Sequence, residues 1–382
     1  MSEWSYRTLD QMGIVSRGKS KHRPRNDVRL FGGKYPFIQT GDIGAAGLYV
    51  TEYSQTYNEE GLAQSKLWER DTLCITIAAN IADTALLAFP ACFPDSIMGF
   101  IPFKDIANVK YVKYCFDILQ KDCQQISQGT AQDNLSWKKL STIKFPCPPI
   151  EVQNKIATIL SRYDSLIENY QKQIKLLEEA AQRLYKEWFV DLHFPGHKNT
   201  KIVDGVPEGW EKKKVGDLIA KSQRTKQVPA NEYLKTGSIP VVDQSRNYIA
   251  GYTNDYECLV NVTTPYIVFG DHTRVLKYIP FSFAKGADGT QLIMSNDLDR
   301  MPQSLFYNSL INIDLSNYSY ARHFKYLKEE EISVPISDVS MKYDELVSKY
   351  YQSIQNNREQ IRLLTEARDR LLPKLMSGEI AV

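Results

Sequence analysis

The side chains best suited to chemistry fall in three short loops. They are Gln39, Thr40 and Asp42 in "QTGD"; Asp243, Gln244, Ser245, Arg246 and Asn247 in "DQSRN"; and His272, Thr273 and Arg274 in "GDHTR". Each group follows an apolar, β-like run, so each is expected where a strand ends in a loop. Arginine pairs with guanine edges, Asn and Gln pair with adenine, and Asp accepts from the cytosine amino group. This is the mixture that direct readout in the major groove of DNA uses. The same residue types are also ordinary turn formers, so at each position a turn role competes with a base contact.

A basic stretch, "RGKSKHRPRNDVR" at residues 17–29, adds Arg17, Lys19, Lys21, Arg23, Arg25 and Arg29 against the single Asp27. Gly18 and Pro24 exclude a continuous helix there, which leaves a basic loop that is either solvated or in contact with phosphates. Two further segments, "GTAQDNLSWKKL" at residues 129–140 and "NYSYARHFKYL" at residues 317–327, each precede a long helical pattern. The second offers Arg322 and His323 for positioning a phosphate backbone.

The motifs of catalysis are missing. No G-x-x-x-x-G-K-[ST] phosphate loop occurs, and no glycine-rich dinucleotide fingerprint follows a strand. "CPPI" at residues 147–150 lacks the Asn or Asp that a Pro-Pro methyltransferase loop needs, and it reads as a helix entrance. Asp271 and His272 are neighbours on a strand and point to opposite faces, while His193 and His197 flank Pro195, where a helix must break. Cys74, Cys92, Cys115, Cys123, Cys147 and Cys258 form no C-x-x-C pair and read as core thiols. A chain with no active site and no metal of its own is expected.

Composition agrees with a globular protein. Apolar residues make up 43% and charged residues 24%, and no run approaches the roughly 18 apolar residues of a membrane span. The opening "MSEWSYRTLDQM" lacks the basic start and apolar core of a signal peptide, so a cytoplasmic location is expected. A net charge of +2 excludes a protein held to nucleic acid by bulk charge alone.

The elements that must position these loops are announced by a repeat. "IKLLEEAAQRL" starts at Ile174 and returns as "IRLLTEARDRL" at Ile361, an offset of 187 residues that also pairs Leu140 with Leu327, Pro148 with Pro335 and Ile167 with Ile354. Ten of the 23 positions from 167 to 189 are identical at that offset, which marks a duplication. "EWSYRTLDQM" near Trp4 and "EGWEKKKVGDLI" near Trp210 look like matching beginnings of the two halves.

A heptad frame fits both copies. Its seam runs through Leu160, Ile167, Ile174, Leu177 and Leu184 in the first copy, and through Val347, Ile354, Ile361, Leu364 and Leu371 in the second. Asn357 and Arg368 interrupt it, either to fix register or to face solvent. The helix entrances are Pro148 and Pro149 with Glu151, and Ser337 or Asp338 as the second cap. A helix of about 40 residues is roughly 60 Å long. One such amphipathic helix cannot bury its seam on a compact domain, so the copies are expected to pack antiparallel as a coiled-coil spacer with pseudo-two-fold symmetry.

Between the helical segments lie runs of β character, such as "DTLCITIAA", "TALLAFPACF", "PYIVFGDHT" and "VLKYIPFSF", with one helical run per half ("NVKYVKYCFDILQ", "PQSLFYNSLINI"). The fold class is α+β. Residues 1–147 form a first head and 148–194 the first spacer helix; residues 195–335 hold a linker and the second head, and 336–382 the second spacer helix and tail.

This arrangement resembles the specificity subunit of type I restriction-modification systems over essentially the whole chain. The motifs that carry the resemblance are the repeat, "PPIEVQ" at residues 148–153, the closing "LLPKLMSGEI" at 371–380, and "FIQTGDI", "FGDHTRVLKY" and "GADGTQ" in the heads. Val152 and Gln153 stand where the family often has Glu-Gln. The resemblance implies a non-catalytic subunit whose heads are target-recognition domains, each reading one half of a bipartite, asymmetric site in double-stranded DNA. It also implies two methyltransferase subunits and motor-nuclease subunits as partners, with S-adenosylmethionine, ATP and Mg bound by those partners and none in this chain. A duplicated coiled-coil scaffold with protein-binding heads, and a recognition chain that acts without partners, are the rival readings.

Overall fold

The computed structural model describes residues 4–78, 81–127, 137–221, 225–318 and 322–382, with the backbone alone for 121–127. The chain forms two compact units, one of Met1–Tyr170 with Gln360–Val382 and the other of Gln171–Glu359.

In the first unit a five-stranded sheet is ordered Gly13–Arg17, Ile97–Pro102, Leu73–Thr76, Thr84–Leu87 and Tyr49–Val50. Its two central strands are buried on both faces, so they carry continuous apolar runs instead of alternation. Leu73, Ile75 and Leu86 point into a core shared with Tyr111, Val112 and Cys115 of the head helix Val109–Ser127. Cys74, Ala85 and Leu87 point the other way, onto a layer with Ile38, Trp68 and Phe93. That layer belongs to a four-stranded sheet of Gln55–Tyr57, Phe31–Phe37, Ala91–Cys92 and Leu67–Trp68. Gly99 is required where the sheets meet, because a Cβ there would lie 2.5 Å from the Trp68 ring.

The second unit has a four-stranded sheet of Gly251–Thr253, Ile239–Val242, Phe283–Lys285 and Leu259–Val260, and a three-stranded sheet of Leu276–Ile279, Tyr266–Gly270 and Thr290–Ile293. Its head helix, Gln303–Ile311, is buried nearly all round, and the polar groups on it are satisfied. Gln303 accepts from the Ser295 amide at 2.7 Å and donates to the Pro265 carbonyl at 2.8 Å, and Ser304 donates to Asp344 at 2.6 Å.

The duplication seen in the sequence is present in the backbone. Ser5–Arg7 pairs antiparallel with Phe145–Cys147 at the base of the first head, and Glu211–Lys214 pairs in the same way with Glu331–Val334 at the base of the second. Each first strand leads into a short turn that plugs the core, Leu9–Met12 in one case and Val215–Leu218 in the other. Each second strand leads into a long helix, Ile150–Tyr185 and Ser337–Met376. Their 36 and 40 residues correspond to about 54 and 60 Å. The first helix ends in a π-turn, Lys186–Val190, which seats Trp188 and Phe189 edge-on against Tyr343. The second starts at Ser337, so Ser337 and Asp338 sit inside its first turn and neither is the residue before it; Asp338 pairs with Lys342 at 2.8 Å.

Both helices are pinned at the fourth residue. The buried Gln153 amide accepts from the Asn108 N–H at 3.0 Å and donates to the Ile106 and Pro148 carbonyls, each at 2.9 Å. Ser340, at the same place in the repeat, donates to the Arg300 carbonyl at 2.8 Å. Each tie reaches the chain just ahead of a head helix, so head and long helix are fixed to one another at their common start.

Along the seam Leu160, Ile167, Val347 and Ile354 are buried, while Ile174, Leu177, Leu184, Ile361, Leu364 and Leu371 are half-buried. In the second unit Asn357 donates to Gln173 at 3.2 Å, Arg358 pairs with Glu178 at 3.0 Å and the Tyr343 hydroxyl donates to the Ala181 carbonyl at 3.2 Å. One partner's number falls as the other's rises, so the helical segments run antiparallel there. In the first unit Arg368 pairs with Asp164 at 2.7 Å, and Asp164 also accepts from the Tyr114 hydroxyl of the head helix. Both polar interruptions of the heptad are thus paired within the seam.

Asp164→Ala would strand the Tyr114 hydroxyl and leave the Arg368 guanidinium with Asp369 as its remaining partner. Because Arg368 keeps some contact with water, a loss of about 2–4 kcal/mol is expected for the first unit. Urea unfolding followed by fluorescence checks this. Asp164→Asn should cost less, because its one carbonyl oxygen still accepts from Arg368 while its amide N–H can donate to the Tyr114 hydroxyl oxygen.

Candidate nucleic-acid interface

In the first unit the basic loop and the "QTGD" segment come together. Ser20, Arg25, Asn26, Val28, Phe31, Gly32, Phe37, Gln39, Thr40 and Gln55 line one open groove of about 610 Å³. The loop is held down through its backbone amides: Gly18 N–H donates to the Ile97 carbonyl, and the amides of Lys21 and His22 donate to the Gln64 side-chain oxygen at 2.6 and 3.0 Å. Its charges are partly spent. Arg25 pairs with Asp95 at 2.6 Å, with Arg23 3.9 Å from the same carboxylate. Arg29 and His22 both bind Asp27, and the Arg29 guanidinium holds the Asp27 carboxyl far below the usual carboxylate range. Arg17, Lys19 and Lys21 remain exposed on the surface of the loop.

Residues 40–42 are not a loop. Thr40–Ala45 is a short helix, and the Asp42 carboxylate accepts from the Gln39 N–H at 2.8 Å through Oδ2, so Asp42 closes the helix start. Gln39 and Thr40 are half-buried in the groove. Gln55 was missed by sequence reasoning. It lies opposite Phe37 in the antiparallel pair and accepts a 2.8 Å hydrogen bond from the Gln39 side chain. Only the cross-strand register would have found it.

In the second unit the "DQSRN" and "GDHTR" segments also meet, but many of their polar groups are spent on the turns themselves. Asp243 accepts from the Ser245 N–H at 2.9 Å. Gln244 accepts from the His272 N–H at 3.1 Å and donates to the Asp288 carbonyl at 2.9 Å, and its own carbonyl accepts from Thr273 Oγ1 at 2.6 Å. Asp243, Gln244 and Thr273 are therefore turn-forming groups, the reading that competed with base contact. Asp271 accepts from the Phe324 N–H at 2.8 Å and so caps the helix His323–Glu329 from outside it.

His323 was expected at the surface. It is only 5% exposed, and burial lowers its imidazole pKa, so it belongs to the core of the turn and not to an interface. Arg322 beside it is exposed, as are Arg246, Asn247, His272 and Arg274. Arg274 has a left-handed φ of 60° and donates to the Leu315 carbonyl at 3.0 Å. Of the two basic segments ahead of the long helices, residues 128–136 and 319–321 lie outside the described residues.

One buried cation organises this surface. Lys277 is 4% exposed; its ammonium donates to the Asp243 carbonyl at 2.8 Å and to the Asn247 carbonyl, with the Asp243 carboxylate 3.8 Å away. Burial pushes its pKa down to about 8, and Asp243 works against that shift.

Among the described residues no helix is long and apolar enough to cross a membrane, and no cluster of three potential metal ligands occurs. Residues 1–179 match the family model described as type I restriction modification DNA specificity domain. The chain is 27% identical, over its full length and 94% of the relative, to the type I restriction enzyme MjaIX specificity subunit of Methanocaldococcus jannaschii. It is 26% identical, over 50% of this chain and 48% of the relative, to the EcoR124I/EcoR124II specificity subunit of Escherichia coli. The crystal structure of the type I restriction-modification S subunit from M. genitalium has the same fold, with a TM-score of 0.64 at 18% identity, covering 98% of this chain and 96% of that one.

A duplicated α+β protein with two differing β-rich heads is the fold the chain shares with that S subunit. Over its full length the chain is thus similar to specificity subunits of type I restriction-modification systems, and its first 179 residues match their DNA specificity domain.

Lys277 yields a signed prediction. Its folded pKa lies below the unfolded value of about 10.4, so the folded protein binds fewer protons between about pH 8 and 10.4 and gains stability from this group as pH rises through that window. Buried thiols and tyrosines, such as Cys258 and Tyr248 (pushed up to about 12), act in the opposite direction. The informative quantity is the difference from Lys277→Met. Chemical denaturation should show the wild type gaining on the variant from pH 8 to 10, with the variant weaker by about 1–3 kcal/mol at pH 10 because two turn carbonyls lose their donor.

Proposed function

We propose that this chain is the non-catalytic reader of a type I complex, each head recognising one half of a bipartite, asymmetric sequence in double-stranded DNA. The observation that carries the reading is the repeated frame. The same strand pair, core-plugging turn and pinned long helix occur twice, around two heads that differ in sheet order and in their exposed polar loops. A frame kept twice around differing surfaces is what two different half-sites, presented in one fixed relation, require.

In this reading the paired helices set the number of unread bases between the halves, on the scale of about one turn of B-DNA, 34 Å. Two methyltransferase subunits dock on the chain and supply S-adenosylmethionine; motor-nuclease subunits supply ATP hydrolysis and Mg-dependent cleavage. In this reading the chain works in the cytoplasm. The exposed Arg17, Lys19 and Lys21 contact phosphates, while Arg25, Gln39 and Thr40 in the first head, and Arg246, Asn247, His272, Arg274 and Arg322 in the second, face the duplex. A modest net charge suits a reader whose partners share the phosphate neutralisation.

The test is to co-express the chain with a type I methyltransferase subunit from the same genome and map N6-methyladenine by single-molecule sequencing. A split motif that disappears when this chain is deleted is expected; a well-formed complex that methylates no split motif would leave the heads as protein-binding modules. In the same complex Lys21→Gln should weaken binding to all sequences alike and reduce the slope of log affinity against log salt by about 1.

A further inference from the structure

We propose that Gln55 is a positioning residue for base readout in the first head: it holds the Gln39 side-chain amide in the one orientation that recognises adenine. The inference rests on the DNA-reading function proposed above.

A primary amide carries two N–H donors and one carbonyl acceptor. Gln39 spends one N–H on the Gln55 Oε1 at 2.8 Å, which leaves its second N–H and its Oε1 for a base. The adenine edge in the major groove offers the complementary pair, the N7 acceptor and the N6 amino donor. An amide without such a partner can turn end over end and present the reversed pattern. Facing the Gln55 carbonyl oxygen, a Gln39 amide that turned alone would set two carbonyl oxygens against each other, so the two amides can reverse only together. An acceptor at position 55 that cannot reverse, as in Gln55→Glu, holds Gln39 in place.

The backbones below both side chains are fixed. The Gln39 N–H donates to Asp42, and its carbonyl accepts from the amides of Asp42 and Ile43 at 3.1 and 3.3 Å. Gln55 sits in ladder register with Phe37, whose ring stacks on Tyr57 at 4.1 Å. Reader and holder therefore stand on two hydrogen-bonded elements, the kind of support that sub-ångström positioning needs.

The surroundings suit a base edge. The groove is open at Gly32, where a Cβ would meet nothing within 4 Å, and Val28 stands 84% exposed at its rim, an apolar contact of the kind a thymine methyl accepts. Arg25, tethered to Asp95, brings a cation to the same groove.

The experiment maps N6-methyladenine for the complex carrying the wild-type chain, Gln55→Leu, Gln55→Glu or Gln39→Glu. With Gln55→Leu, preference at one A·T position in one half of the motif should fall by about 10-fold, the lower range for losing a bidentate pair, with the other half unchanged. Gln55→Glu keeps the acceptor and should keep the preference. Gln39→Glu, an acceptor only, should shift the same position towards cytosine.

An unaltered motif with Gln55→Leu, a uniform loss across both halves, or Gln55→Glu behaving like Gln55→Leu would overturn the inference. Should the Gln55→Leu chain not assemble, Gln55→Ala, read at the same position in the same way, decides in its place. Absence of any split motif with the wild-type chain is a different result: it removes the DNA-reading function itself.

Discussion

A long helix with a single apolar stripe cannot persist alone in water, and this chain contains two of them. Everything else follows from the need to cover those stripes. In the first unit the end of the second helix, with Leu375 and Met376, joins Ile156 and Leu160 in the core of the head. In the second, Val339, Tyr343, Val347 and Ile354 share a core with Ala181, Tyr185 and the aromatic π-turn that follows. Each head is therefore built onto a helix pair and not merely attached to the end of a helix. The loops that carry exposed Arg, Asn and Gln inherit their stiffness from that base.

The two units solve the same junction with different chemistry. In the first, a head-helix hydroxyl, Tyr114, meets the Asp164 carboxylate and the Arg368 guanidinium. In the second, the spacer position that repeats Asp164 is Tyr351, and its hydroxyl donates to Asn308 of the head helix at 3.1 Å. Donor and acceptor have changed sides, and the charge has gone. Burying a carboxylate demands a paired cation, whereas a hydroxyl and an amide satisfy one another without one. The first junction is thus the one sensitive to loss of a single partner.

Much of this was legible in the sequence, because periodicity and repetition report on helices over many residues at once. The offset of 187 residues, the heptad seam and the matched beginnings at Trp4 and Trp210 all have counterparts in the backbone. The polar loops were harder to read. "TGDIGA" has the composition of a turn yet closes into a helix, because Asp42 caps it. His323 lies in a basic, aromatic stretch that looks exposed, and only the tertiary contact with Asp271 shows it buried. Gln55 carries no local signal at all, since its meaning comes from a strand partner 18 positions away, Phe37. Asp, Gln and Thr side chains can serve a turn or a ligand equally well, and which they serve depends on the register of distant segments.

The two-strand ladder at the base of each head has a consequence beyond support. A head leaves the frame beside the point where it returns, through neighbouring strands whose Cα atoms are about 5 Å apart. To the frame, the whole intervening domain is a single long loop with fixed ends, and the entropy of closing such a loop rises only slowly with its length. Genetic recombination could therefore substitute a cassette of different size and sequence between those strands without refitting the seam. Novelty in one domain would then leave the mechanical frame, and the neighbouring domain, as they were.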